Sequence, residues 1–339
     1  MKNICVLLFL VFWFFIGKNV FAAPMESIFD RRTSVFQDAY PYGWNPIRVH
    51  LSIPVQEQYI LESEQPFRVA IGKYILPPIS RVIVSPSGES IRLTYGKYTL
   101  PLSIPIQMLP VLPGQVFQIS NIKRIPAWDT TETVNDNTFL GGFDIRIDEG
   151  RLTFVNELDL EEYLSGMAEV LESEPDSKRK ALSVLIRSYA LYYMQVGTKF
   201  PGKHYHASDD PKSFQKYLGY HYSLRSPKWQ AALRDTKGEI LTHHGQVFRA
   251  AYFSCTLDGK TKLPSEAGWG EYFLQETKDV WKSVSARNDP HRSTPGACGH
   301  GVGLSGYEAK LQAEEGENYE EILYYFYDNV SLTNLKNAK

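Results

Sequence analysis

The sequence predicts an α+β protein, with a β-rich N-terminal half followed by a mixed helix and strand domain. Three observations predict it. Between Pro46 and Pro126 short apolar runs alternate with period two, Pro is frequent, and helix signals are absent. Beyond Asp159 the apolar spacing changes to the three-and-four pattern of amphipathic helices. Strand pairs joined by turn residues flank those helices.

The chain opens on Lys2, an uncharged run from Ile4 to Ile16, and then Val20-Phe21-Ala22 before Ala23-Pro24. A basic start, a short apolar core and small residues before a break describe a secretory signal peptide over 1–22, cleaved after Ala22. The run is short for a membrane span, which takes about 20 residues. An uncleaved anchor is the other reading. The expected location is outside the cytoplasm: periplasm, cell envelope or extracellular. Cleavage removes Lys2, Lys18 and Cys5 and leaves Cys255 and Cys298. In an oxidising compartment those two are either a disulfide or a pair of buried thiols.

Residues 24–45 read as an irregular lead-in. Ile47–Leu51 alternates as a half-buried strand does, and 67–71, 82–84 and 91–95 continue the pattern, with Pro86-Ser87-Gly88 as a turn. A polar stretch at 128–138 closes the first half. Segments 143–147 and 152–155 form a hairpin around Asp148-Glu149-Gly150. A helix follows, with Asp159 as cap and Glu162 completing a capping box. Its stripe is Leu160, Tyr163, Leu164, Met167 and Leu171, and Pro175-Asp176 breaks it. A longer helix is expected over 177–196, stopped by Gly197. Ser226-Pro227 supplies N-cap and first residue of a third helix. Segments 239–242 and 247–253 make a hairpin around His244-Gly245. Two last helices lie near 305–315 and 319–327, the second capped by Asn318 with Glu321. The division is 1–22 leader, 23–138 β-rich region, 139–330 mixed domain and 331–339 tail.

Composition narrows the function. Of 339 residues, 43% are hydrophobic and 22% charged, which suits a folded chain and excludes a disordered one. With 36 basic and 38 acidic residues the net charge is −2, against a nucleic-acid binder. The 21 Tyr, 18 Phe and 6 Trp either fill a core or, where exposed, offer flat faces to a sugar.

Four segments carry a resemblance. They are 155–166 (Val-Asn-Glu-Leu-Asp-Leu-Glu-Glu-Tyr-Leu-Ser-Gly), 180–190 (Lys-Ala-Leu-Ser-Val-Leu-Ile-Arg-Ser-Tyr-Ala), 235–261 with Ala250-Ala251-Tyr252-Phe253-Ser254 and Asp258-Gly259-Lys260-Thr261, and 299–305 (Gly-His-Gly-Val-Gly-Leu-Ser). Together, and in this order, they resemble the SpoIID/LytB family of exported cell-wall proteins, over about 140–330. The resemblance implies a peptidoglycan lytic transglycosylase that cleaves MurNAc-GlcNAc bonds of denuded glycan strands. It also implies a non-catalytic alternative, a wall-bound enhancer of a separate amidase. The family's catalytic Glu lies between the Gly of the first helix and the Ala-Arg of the second. Glu169, Glu172 and Glu174 compete, and Glu169, 18 residues before Arg187, fits best. Read without the family, Glu169 sits on a solvated helix face.

The same resemblance points to Arg187, Gln215, Tyr217, Ser254, His300 and Ser305 as substrate contacts. Arg187 either holds the Glu ionised, meets a muramic carboxylate, or makes a structural ion pair. Tyr217 either lines a groove or packs in the core. His300 either bonds substrate or orients its glycine loop. The motif loops of Cys255 and Cys298 are brought to one region, which favours a bridge. Some members hold zinc through two His and two Cys just before the Gln. Here His204 and His206 are followed by Ser208, Asp209, Asp210 and Phe214, so the expectation is no cofactor and no metal. A His204/His206/Asp209 zinc site is the weaker alternative. Gly306 stands where the family often has Gln. Expected partners are peptidoglycan glycan strands, with a cell-wall amidase or other envelope protein in the enhancer reading. A sporulation role is compatible.

Overall fold

The computed structural model describes residues 30–31, 45–126, 129–195, 199–270, 278–292 and 298–335. The expected leader, most of the lead-in and the Gly197 stop lie outside them. Among the described residues no helix is long and apolar enough to cross a membrane.

The fold is α+β and β-rich. The first half consists of β1 (Asp30–Arg31), β2 (Ile47–Leu51), β3 (Tyr59–Ile71), β4 (Tyr74–Ile75), β5 (Ile79–Ser87), β6 (Ser90–Tyr95), β7 (Tyr98–Leu102), β8 (Ile106–Leu109) and β9 (Val116–Ile119). Then come β10 (Thr138–Leu140), β11 (Gly142–Asp148) and β12 (Arg151–Leu158), followed by α1 (Leu160–Ser165) and α2 (Asp176–Gln195). After β13 (Ala207–Ser208) lie α3 (Tyr220–Leu224) and α4 (Pro227–Asp235). The C-terminal part holds β14 (Glu239–His243), β15 (Gln246–Val247), β16 (Tyr252–Phe253), β17 (Leu304–Ser305), α5 (Gly306–Glu314), α6 (Tyr319–Phe326) and β18 (Val330–Asn334).

One sheet runs through both halves, in the order β13-β2-β12-β11-β8-β3-β5-β6-β7. The β11–β12 hairpin is wedged between β2 and β8, so the boundary drawn at 138/139 falls inside a continuous hydrogen-bonded layer. β3 turns the corner. Its first part pairs β5 and β9, its last part pairs β8, and the register shifts between Glu62 and Phe67. Phe67, Phe117, Phe143 and Phe139 fill the space behind this bend, each fully buried and each ring meeting the next tilted or edge-on.

The tail read from 331 is also structured, since β18 pairs with β14 from Glu239↔Asn334 to His243↔Val330. Its signal was weak because a five-residue edge strand has no capping or turn residue to announce it. The expected 239–253 hairpin divides: β14 pairs β15 across His244-Gly245, while Tyr252–Phe253 leaves to pair in parallel with β17.

α1 is shorter than its apolar stripe implies. The capping box of Asp159 and Glu162 forms, but the helix stops at Ser165 with Gly166 as C-cap. A Cβ on Gly166 would lie 2.6 Å from Tyr217 Cε2 and 2.9 Å from Gly219 O. The chain turns there to pair with 216–218, through Ala168 N to Lys216 O (2.9 Å) and Leu218 N to Gly166 O (2.9 Å). The carbonyls left at the helix end are met from α4, by Trp229 Nε1 to Leu164 O and Gln230 Nε2 to Ser165 O, both 2.9 Å. Leu171, expected in the stripe, is 68% exposed.

The junction of the two halves supplies a test. Gly141 has φ +75°, and a Cβ there would sit 2.2 Å from the Glu157 carbonyl oxygen. Buried Asn156 secures the same kink by donating Nδ2 to Leu140 O (2.8 Å) and Gly142 O (2.9 Å). Gly141→Ala is expected to destabilise the protein by at least about 2 kcal/mol, read as a lower urea midpoint. An unchanged midpoint would show that the β10–β11 link is free to shift.

Candidate active site

The three competing carboxylates part company in the structure. Glu172 accepts from Lys228 N (3.0 Å) and Trp229 N (2.9 Å), and so caps α4. Ser226, the cap expected there, makes no side-chain cap bond. Glu174 pairs with Lys178 at 2.9 Å. Glu169 lies not on a helix face but in the loop after α1, and its Oε1 accepts from Lys216 N at 2.5 Å. Burial raises its pKa, opposed by that backbone bond and by the Lys216 charge. The residue keeps partial access to solvent.

Behind Glu169 stands a chain of buried hydroxyls and an amide. Tyr163 Oη donates to Gln215 Oε1 (3.1 Å), and Gln215 Nε2 donates to Tyr252 Oη (3.0 Å). Both tyrosines have raised pKa values, first through burial and then through the nearby Glu169 charge. Gln215 is 2% exposed, so it acts as a strut and does not reach a ligand. Tyr217 is likewise core, its hydroxyl donating to Asn156 Oδ1 at 2.9 Å. Both corrections have one cause. The 166–168 and 216–218 segments pair, which turns these side chains inward.

Arg187 makes the structural ion pair and is not a surface substrate contact. It is fully buried and clamps Glu161, with Nε to Oε1 at 2.7 Å and Nη2 to Oε2 at 2.9 Å. Nη1 donates to Glu239 O at 2.9 Å, and Gly238 N donates to the same Glu161. It pairs with Glu161 and does not hold Glu169 ionised. Ser305, fully buried, is the N-cap of α5, accepting from Glu308 N.

Ser254 and His300 remain at the surface. The glycine loop reaches them because Gly303, at φ +80°, lets the chain pass where a Cβ would lie 1.9 Å from Ala251 O. β17 then pairs with Tyr252–Phe253, and Cys255 is joined to Cys298 with Cα atoms 4.6 Å apart. His300 Nδ1 accepts from Val302 N (3.1 Å), and its ring meets Trp269 at 5.1 Å and Phe253 at 5.8 Å. Crowding, then the charges of Arg249 and Lys199, keep its pKa below the usual range, so the ring is neutral at pH 7.

Sequence reasoning passed over three residues of this rim. Arg249 stacks on Trp269 at 4.1 Å, and Lys199 lies near enough to Arg249 that burial and that charge bring its pKa to about 8. The available signals were Trp269 between two glycines and Arg249 immediately before Ala250-Ala251-Tyr252.

The His204/His206/Asp209 zinc alternative does not assemble. His206 uses Nδ1 on Arg48 N (3.1 Å) and Nε2 on Arg48 Nη2 (3.3 Å). Asp209 accepts from Ser52 N and from Arg124 at 2.6 Å.

Residues 148–243 match the family model SpoIID, stage II sporulation protein. Over those residues the chain is similar to the SpoIID family. It is also similar to a stage II sporulation protein D of Bacillus subtilis (strain 168), 22% identical over 261 residues, covering 53% of this chain and 76% of the relative. The matched family segment contains Glu169, Arg187 and Gln215 and ends before the Tyr252 strand and the glycine loop at 299–305.

Two outcomes follow from the site. Arg187→Met, which strands the Glu161 carboxylate, is expected to lower stability by about 3–5 kcal/mol in urea unfolding. A substrate-binding Arg would instead change KM at constant stability. Reduction of the Cys255–Cys298 bridge, 43 residues apart in sequence, is expected to cost about 4 kcal/mol in the chain-entropy model. Unaltered unfolding under denaturing reduction would refute it.

Proposed function

We propose that this protein is an exported peptidoglycan lytic transglycosylase, with Glu169 as its acid and base. The observation that carries the reading is Glu169 itself: a carboxyl whose pKa burial raises, partly accessible, and not committed to a helix cap or a salt bridge as Glu172 and Glu174 are. A carboxylic acid of raised pKa can donate its proton to the glycosidic oxygen between MurNAc and GlcNAc. The C1–O bond breaks and positive charge develops at C1 of the muramic sugar. The carboxylate then takes the proton of that sugar's C6 hydroxyl, and O6 closes on C1. The product is a 1,6-anhydroMurNAc end, and no water is consumed. A hydrolase of the usual kind would place a second carboxylate across the bond. Two nearby acids, Glu172 and Glu174, are engaged in holding the fold.

The rim supports the same substrate class. Trp269 offers an aromatic face beside Arg249, and Lys199 adds a second cation near it. A ring with apolar faces and a carboxylate-bearing substituent, such as muramic acid, suits that pairing. Names of the matched family and relative suggest a setting in sporulation.

Incubating the mature protein with denuded glycan strands is expected to yield 1,6-anhydro ends by mass spectrometry. Glu169→Gln is expected to reduce their formation by about 10²–10⁴-fold. Because the acid form is needed, cleavage falls as pH rises through the raised pKa of Glu169. Stability moves the opposite way on substitution. A carboxyl whose folded pKa is raised loses its contribution as pH climbs from the unfolded value to the folded one. Glu169→Gln is therefore expected to raise the urea midpoint at neutral pH while lowering turnover by that factor. Absence of anhydro ends from the folded protein would return it to the enhancer reading.

A further inference from the structure

The turn between β14 and β15 holds a second group of side chains that the cleavage chemistry does not use. His243 ends β14, and its ring is buried to 7% exposure. Its Nδ1 lies 2.9 Å from the backbone carbonyl of Asn329. A carbonyl oxygen only accepts, so Nδ1 carries the hydrogen. In the neutral ring Nε2 is then a lone pair. That lone pair faces Asp279 Oδ1 at 3.2 Å, where it meets only more lone pairs. A proton or a metal ion between them makes the arrangement favourable.

The neighbourhood decides between these two. His244 follows at φ +48°, a left-handed turn position, and its ring centroid lies 4.0 Å from that of His243. One ligand atom each from His243, His244 and Asp279 falls within 4.8 Å of the others. A proton shared between His243 and Asp279 has no use for the second imidazole, whereas a metal ion does. Asn329 orients the set from behind. Its carbonyl fixes the His243 tautomer, and its Nδ2 donates to Asp279 O (3.1 Å) and Oδ2 (3.3 Å). This outer arrangement, a carbonyl holding one ring nitrogen so that the other points inward, is how metal-bound imidazoles are fixed. His244 and Asp279 are exposed, so their side chains can rotate to close the remaining gap.

We propose that His243, His244 and Asp279 bind one divalent transition-metal ion of the Zn²⁺ class, with Asn329 orienting two of the three ligands. Two imidazoles and a carboxylate suit Zn²⁺ and leave a fourth position for water. The ion would tie the β14–β15 turn to the segment at 279 and to the turn entering β18. Its role is structural, and none of its ligands belongs to the Glu169 site. The sequence looked for metal at His204 and His206 and passed over this adjacent pair.

The test uses the mature chain without an affinity tag, stripped with chelator and titrated with ZnCl₂ alone by calorimetry. One equivalent bound, with a rise in Tm, is expected. His244→Asn keeps a residue that tolerates left-handed backbone, and Asp279→Asn alters an exposed side chain, so both should fold. Each is expected to weaken Zn²⁺ binding at least about tenfold. With CuSO₄ as probe, electron paramagnetic resonance should show two imidazole nitrogens in the parent and one in His244→Asn. No stoichiometric binding by the folded chain would overturn the proposal. Binding unaffected by either substitution, or lost instead in His204→Asn, would also overturn it.

Discussion

The C-terminal half depends on the buried pair of Arg187 and Glu161. Arg187 comes from α2 and Glu161 from α1, and the Glu239 carbonyl and Gly238 amide bring the start of β14 to the same point. Three elements distant in sequence therefore meet around one guanidinium. A buried ion pair adds little net stability over an apolar substitute, but removing one partner leaves a charge in a low-dielectric interior. The pair thus specifies where α1 lies on α2. Beyond α1 the chain turns at Gly166, packed on Tyr217 and Gly219, into the loop that carries Glu169.

That loop rests on the hydroxyl chain. Tyr163 stands on α1, Gln215 on the returning segment and Tyr252 on β16, and their bonds are made away from solvent. Such a network is rigid because each member would leave an unpaired buried group if it moved. Glu169 rests against it with one carboxyl oxygen held by the Lys216 amide. The raised pKa is a penalty on the folded state, and the surrounding fold offsets it. The Tyr252 end of the chain carries the disulfide-linked loops and the surface residues Ser254 and His300. The N-terminal half joins in through the sheet, since β2 and β8 flank the hairpin that leads into α1.

Much of this was legible in the sequence. The capping boxes at Asp159 and Asn318 form as their spacing implies, because a cap is a bond between a side chain and backbone two or three residues away. The period-two strands of the first half stand where they were read, and the two cysteines of the folded domain are joined. The sequence by itself thus determined most local elements, the α+β class and the likeness to the SpoIID family, all of which rest on neighbours along the chain or on motif order.

Tertiary structure decided the roles. Periodicity carried α1 on to Leu171, but Gly166 packs against Tyr217 and Gly219, contacts that periodicity does not encode. Arg187, Gln215, Tyr217 and Ser305 sit within motifs, yet they face inward and hold the site in place. Glu172 and Glu169 look alike in sequence. One caps a helix that begins at residue 227, and the other is left partly accessible with a raised pKa. The His243, His244 and Asp279 grouping depends on β18 returning to β14 and bringing Asn329 with it. Except for Ser305, which caps its own helix, the deciding partner lies tens of residues away. A side chain's chemistry is set by what folding packs against it, and that is a property of the whole chain.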